Sequence, residues 1–240
     1  MTNGTLPAMN FDRIARHYRW MEFILAGEKL HRCRVAFLDE IPTARKILLL
    51  GEGNGRGLVE SRRRFVNAQI TCLDASEQML AQTRRRLTRH NLETDNVEFV
   101  HADVLNWEPG DKTYDLIVTN FFLDCFRADH LEQIISQLGK ATTPDASWLI
   151  ADFQTPPAGL QRIRSQLILW MMYAFFRGMT QIAAQKLTAP DSFLERIGFK
   201  LHCRTGSEWG LLHSDWWKRE CNGLREVQQP RGVTPLQLCD

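Results

Sequence analysis

Five short apolar runs, Lys46–Gly51, Gln69–Asp74, Val97–Ala102, Tyr114–Asn120 and Ser147–Asp152, alternate with segments whose apolar residues recur at helical spacing. Strands that are apolar at consecutive positions, and not only at every second one, have to be buried on both faces, as strands are inside a parallel sheet. Parallel neighbours need crossover connections, and Gly57–Phe65, Ser76–His90 and His130–Ala141 carry the helical pattern to supply them. The alternation therefore predicts an α/β fold with a doubly wound sheet.

The remaining chain divides around that core. With 240 residues, one domain is expected: a helical cap over 1–44, a ligand-binding core over 45–152, a lid insertion over 153–190, a closing helix and hairpin over 191–220, and a tail over 221–240. Apolar spacing from Asn10 to about Glu40 fits two helices that stop at Pro42. "GFKLHCRT" and "WGLLHSDWWK" read as an antiparallel hairpin closing the sheet. The opening "MTNGTLPAMNFDRIARHY" lacks the apolar core of a signal peptide, and the longest uncharged apolar run, Leu167–Phe176, is far shorter than the roughly 20 residues that cross a bilayer. The six cysteines are scattered with no C-x-x-C pair. Together these features predict a cytoplasmic protein with reduced thiols and no integral membrane segment.

"ILLLGEGNGRGL" places Gly51, Gly53, Gly55 and Gly57 at alternate positions just after the first strand. Glycine-rich turns at the carboxyl edge of a parallel sheet are where open α/β folds bind ligands, because backbone N–H groups and a helix N-terminus are free there. A dinucleotide fingerprint beginning at Gly51 would need its third glycine at position 56, which is Arg56. G-x-G-x-G predicts close backbone approach without the close helix packing that positions a pyrophosphate, and so a nucleoside ligand lacking that group. Asp74 ends the second strand in "ITCLDAS", where a carboxylate accepts bonds from ribose hydroxyls, and Asp103 follows the third, placed for an adenine amine. Either could instead be a strand-end aspartate or a helix cap.

These stretches resemble the class I S-adenosylmethionine-dependent methyltransferases. "LLLGEGNGRG" looks like their first motif, "LDAS" their ribose-binding loop, "HADVLNW" their adenine segment and "YDLIVTNFFLDCF" their fourth strand. "FDRIARHYRWMEFILAGEKLHRCR" is similar to the opening of the quinone C-methyltransferase-like, type 11/25-like group. The resemblance implies a seven-stranded Rossmann-like sheet of order 3-2-1-4-5-7-6 with strand seven antiparallel. It implies S-adenosylmethionine as cofactor and S-adenosylhomocysteine as product. Gly51, Gly53, Gly55, Asp74 and Asp103 would then contact the cofactor, with Ala75, Met79 and Val104 beside them and Asn120 and Phe121 at its amino-acid end. The family commonly has an acidic residue where this chain has Leu49, so support of the methionine end falls to Glu52 or Tyr18.

The reaction so implied is displacement of the methyl group onto a small apolar or aromatic molecule or a thiol. Alternatives are an RNA or protein methyltransferase, or an inactive cofactor-binding subunit. A net charge of +2 gives no field for nucleic acid, and consecutive arginines in "SRRRF" and "TRRRL" fan around a helix, so solvated helix faces are expected there. The histidines and cysteines show no metal-ligand spacing. Asp124, on the loop leaving strand four, is a candidate for acceptor deprotonation or else a helix cap; His213 in the closing hairpin is a second candidate. Phe121 and Phe122 either face a sulfonium or fill space. The apolar helix 167–176 has two faces to bury, one of which suits an acceptor pocket or a homodimer interface.

Overall fold

The computed structural model of the chain describes residues 27–110, 113–154 and 188–220. In chain order the elements are α1 (Gly27–Val35), β1 (Lys46–Leu50), α2 (Arg56–Arg64), β2 (Gln69–Asp74), α3 (Glu77–Arg89), β3 (Val97–His101), β4 (Tyr114–Asn120), α4 (Ala128–Lys140), β5 (Thr142–Phe153), α5 (Asp191–Arg196), β6 (Phe199–Ser207) and β7 (Leu212–Arg219). A single turn of 3₁₀ helix, Leu123–Cys125, precedes α4. Tyr18, the apolar run 167–176 and the tail lie outside the described residues.

All seven strands join one sheet in the order β3-β2-β1-β4-β5-β7-β6. β1 to β5 run parallel, and β7 is antiparallel to both β5 and β6. This is the expected topology, with strand bounds close to those read from the apolar runs. β5 differs: it starts at Thr142, not Ser147, because Thr142 already pairs with Tyr114 before a register shift between Tyr114 and Leu116.

Consecutive apolar residues are divided between two cores. Ile47 and Leu49 of β1 join Ile70, Leu116 and Val118 in a cluster with Leu58 of α2 and Leu80 and Leu87 of α3. Leu48 and Leu50 point the other way, with Ile117, Trp148 and Trp217, onto Leu131, Ile134, Ile135 and Leu138 of α4. Adjacent strand residues face opposite sides of the sheet, so each helical layer receives one half of every apolar run. Leu49 is wholly buried in the first cluster.

α1 is tied to the far side of the sheet by short polar contacts. Ser214 Oγ of β7 donates to the Cys33 carbonyl at 2.7 Å, and Cys33 Sγ lies 3.0 Å from the same hydroxyl. Burial pushes the Cys33 thiol up to about 11, so it serves here as a neutral packing group. This docking brings the buried Arg34 to the carboxyl edge of the strands, its guanidinium 5.1 Å from the Phe121 ring centre.

Ile135 has no solvent exposure in the α4 layer. Ile135→Ala is expected to lower stability by about 2–5 kcal/mol, through lost burial and the cavity left behind. Urea unfolding followed by tryptophan fluorescence should show an earlier midpoint with an unchanged slope.

Candidate active site at the carboxyl edge of the sheet

The turn after β1 has three glycines in the left-handed region, Gly51 at φ 65°, Gly53 at 58° and Gly55 at 79°. Only glycine holds that conformation without a Cβ penalty, and here it lets the chain leave a buried strand and enter α2 within a few residues. The Gly51 N–H still donates to the Leu73 carbonyl at 3.1 Å, extending the β1–β2 ladder past the strand end. Close helix packing, not expected from G-x-G-x-G, is present. A Cβ on Gly55 would lie 2.9 Å from the Thr83 backbone of α3, and one on Gly57 would lie 2.3 Å from Glu52 Oε1. Thr83 Oγ1 donates to the Gly53 carbonyl at 3.2 Å and Arg86 Nε to that of Asn54 at 2.7 Å, so α3 braces the turn.

The arginine groups divide: Arg63, Arg84 and Arg85 are exposed, as expected of solvated helix faces, whereas Arg62, Arg64 and Arg86 tie the backbone. Arg62 is buried and bonds the carbonyls of Phe65 and Glu93, Arg64 reaches the Ile41 carbonyl, and Arg84 stacks on Phe99 at 4.5 Å. These carbonyls sit at helix ends and in loops, and the guanidinium fork supplies donors to them.

Glu52 is buried beneath the turn. It accepts the Leu58 N–H of α2 at 2.8 Å and the Asn120 side-chain amide at 3.4 Å. Burial raises its pKa, with Arg34 and these donors acting against the rise. Glu52 and Asn120 therefore join β1, α2 and β4 in one polar contact under the glycines. Phe122 fills the space over Gly51, where an added Cβ would come within 2.3 Å of its ring, and it packs edge-on to Phe126. Phe121 adopts φ 53°, a strained value for a bulky residue, with its ring against Phe153 and Arg34.

At the neighbouring strand end, Asp74 Oδ1 accepts the Ser76 N–H at 2.9 Å, while Ser76, not Asp74, caps α3 by accepting from Met79. Ala75 offers its carbonyl to His101, and Met79 is buried. Asp103 is exposed just past β3 and closes a local turn by accepting the Leu105 N–H. Its neighbour Val104 is buried in the α4 layer. Asp74 and Asp103 thus stand at adjacent strand ends on the same edge as the glycines.

Asp124 is not a helix cap. α4 starts at Ala128 with Arg127 at its N-cap and no capping side chain, because the 3₁₀ turn holds Asp124 one turn too early and directs it inward. Buried, it faces Asp152 at the end of β5. The Asp124 N–H donates to Asp152 Oδ2 at 3.1 Å, and the two carboxyls share a side-chain hydrogen bond. Burial raises Asp124 to about 6, against the opposing influence of Asp152, Cys125 and His213; burial and the Asp124 charge push Asp152 well above the usual carboxylate range.

His213 stands directly across the β5–β7 ladder from Asp152. Its Nδ1 is 2.9 Å from Asp215 Oδ1, and Arg204 clasps Asp215 in a two-pronged ion pair. Burial alone would raise Asp215, but Arg204 and His213 outweigh it and hold the carboxylate below its ordinary range. Sequence reading named Asp124 and His213 but missed Asp152 and Arg34. Asp152 carried the signal that marked Asp74, an acid at the end of a parallel strand. Arg34 carried none, since it is one of many helical arginines.

Comparison with known proteins agrees with this geometry. Residues 47–145 match a family model described as a methyltransferase domain. A trans-aconitate 2-methyltransferase of Variovorax paradoxus is 35% identical over 104 residues, covering 43% of this chain and 37% of that protein. A demethylmenaquinone methyltransferase of Clavibacter sepedonicus is 28% identical over 159 residues, covering 66% and 62%. The chain therefore spans roughly a third to two thirds of these relatives' length. Among solved structures, an O-methyltransferase family protein from Burkholderia thailandensis superposes with a TM-score of 0.67 at 16% identity, over 89% of this chain and 62% of that one. The N-methyltransferase NodS of Bradyrhizobium japonicum, in complex with S-adenosyl-L-homocysteine, gives 0.57 at 12%, over 80% and 84%. Residues 47–145 are thus similar to a methyltransferase domain, and the seven-stranded sheet has the fold of these solved methyltransferases. The likeness to the curated methyltransferases is thus confined to part of this chain and part of theirs.

The raised carboxyl has a consequence for stability. Between the ordinary aspartate value of 3.8 and about 6, folded Asp124 holds a proton that the unfolded chain has released. Stability must therefore fall as pH rises through that window. Denaturant titrations at several pH values should show this slope, and Asp124→Asn should flatten it.

Proposed function

We propose that the chain binds S-adenosylmethionine at the turn after β1 and transfers its methyl group to a small apolar or aromatic molecule or a thiol. The observation that carries this reading is the run of left-handed glycines beside a strand-end aspartate: Gly51, Gly53 and Gly55 after β1, with Asp74 at the end of β2. The residues present fit that cofactor. Asp74 suits a ribose diol, and Asp103 suits an adenine amine. Asn120, Phe121 and Arg34 form the polar and aromatic surroundings of the strand-four end, where the amino-acid portion would lie.

When bound, the cofactor supplies a methyl group already activated by a sulfonium. The protein's work is then to align the acceptor and to take up one proton. Asp124 is the residue we assign to proton removal, since a carboxyl raised to about 6 is a stronger base than an exposed aspartate and is still ionised at neutral pH. His213 lies behind it.

An apolar, quinone-like acceptor is favoured by the demethylmenaquinone methyltransferase likeness, which extends over more of this chain than the likeness to the trans-aconitate enzyme. RNA binding is disfavoured by the near-neutral charge and by the engagement of Arg62, Arg64 and Arg86 with backbone carbonyls.

Isothermal titration with S-adenosylmethionine and S-adenosylhomocysteine tests the cofactor, and NAD should not displace either. Asp74→Ala removes charge-assisted bonds worth about 1.5–3 kcal/mol each, so affinity should fall at least tenfold. Undiminished binding by the folded variant would refute the ribose assignment. Methyl-labelled cofactor incubated with cell extract, followed by mass spectrometry, should identify the acceptor.

A further inference from the structure

The Asp124–Asp152 contact is more than a buried acid beside a reaction site. Two carboxyls held within hydrogen-bond reach and away from water cannot both ionise near neutrality, so such a pair retains one proton. Several described elements contribute polar or titratable groups around them. Cys125 shares the 3₁₀ turn with Asp124, and its thiol donates to Asp124 Oδ1 at 3.6 Å. Cys33 of α1 interacts electrostatically with Asp152. His213 of β7 stands across the ladder from Asp152 and interacts with Asp124. Asp74 of β2 reaches Cys125 electrostatically. Arg204, the nearby guanidinium on β6, is engaged by Asp215 and Asp191. A pair that keeps one proton carries the negative charge of one carboxylate.

We propose that Asp152 is a positioning residue for Asp124, so that the two act as one acid–base unit suited to a neutral hydroxyl acceptor, an enol or a phenol, and not to a carboxylate. This rests on the methyl-transfer reading above. Asp152 keeps the shared proton and donates it in the hydrogen bond to Asp124, which holds the Asp124 carboxylate in place. The acceptor's hydroxyl oxygen gives a lone pair to the methyl carbon, displacing the methyl–sulfur bonding pair onto sulfur, and its proton passes to Asp124. A phenol ionises near pH 10, like tyrosine, and needs this help. Its acidity rises steeply as the new C–O bond forms, which lets a carboxylate accept the proton. A carboxylate acceptor has no proton to lose and would be repelled by Asp124.

Two measurements on the full chain decide this. In the first, aspartate carboxyl carbons are labelled with ¹³C and titrated by NMR without cofactor. Asp124 should titrate near pH 6 and Asp152 above it. In Asp124→Asn the Asp152 step should move down by at least one pH unit, because its charged neighbour is gone. In Asp152→Asn a single independent step should remain at Asp124. A merely structural Asp152 predicts no reciprocal shift, and a remaining carboxyl that titrates in the variant at the same pH as in the wild-type protein overturns the pair. The second measurement compares 2-naphthol with 2-naphthoate binding to the S-adenosylhomocysteine-loaded protein at pH 7. Naphthol should bind at least tenfold more tightly, and Asp124→Asn should erase the preference. Equal or tighter naphthoate binding, or no naphthol binding, overturns the acceptor class. Failure of the wild-type chain to bind S-adenosylmethionine in calorimetry would sink the methyl-transfer reading alone and leave the carboxyl titration standing.

Discussion

The buried carboxylate of Glu52 is the contact on which the carboxyl edge of this sheet depends. A charge removed from water needs hydrogen-bond donors on its oxygens, and Glu52 finds them on α2 and on Asn120 of β4. That requirement explains the sequence around it. Gly57 must lack a side chain because Glu52 Oε1 occupies the position a Cβ would take. α2 must begin where it does for its first N–H groups to reach the carboxylate, and β4 must end in a residue with a side-chain donor. The acid at Glu52 compensates for the apolar Leu49, whose own position faces a helix layer and could not serve the edge.

Around this contact the domain separates its charges by role. Arginines of α2 and α3 bond backbone carbonyls and fix loops, which uses their fork geometry. At the opposite end of the edge, Arg204 is matched to Asp215, and His213 is held against that pair. The carboxyls of Asp124 and Asp152 are raised instead by burial and, for Asp152, by the Asp124 charge. One edge of one sheet thus holds a carboxylate kept charged by a guanidinium and two carboxyls kept partly protonated by burial. A few ångströms of chain decide which environment each acid enters.

The fold and the cofactor edge were legible in the linear pattern. Continuous apolar strands alternating with amphipathic segments admit few solutions other than a doubly wound parallel sheet, and such a sheet fixes in advance which ends of the strands face a ligand. Gly51, Gly53, Gly55, Asp74 and Asp103 could be named because each sits at a strand end, where position along the chain is also position in space. The closing hairpin was visible for the same reason.

What only the tertiary structure decided are pairings between residues far apart in the chain. Asp124 and Asp152 meet because β4 and β5 are neighbours in register, and His213 joins them because β7 inserts antiparallel beside β5. Arg34 reaches Phe121 because Ser214 anchors α1 across the sheet. A local sequence cannot show whether an aspartate will end beside an arginine, a helix N-terminus or another aspartate. Burial and neighbours set its charge, and those are properties of the packed sheet. The sequence by itself determined the architecture and the edge, whereas the protonation chemistry at that edge was decided by which strands became neighbours.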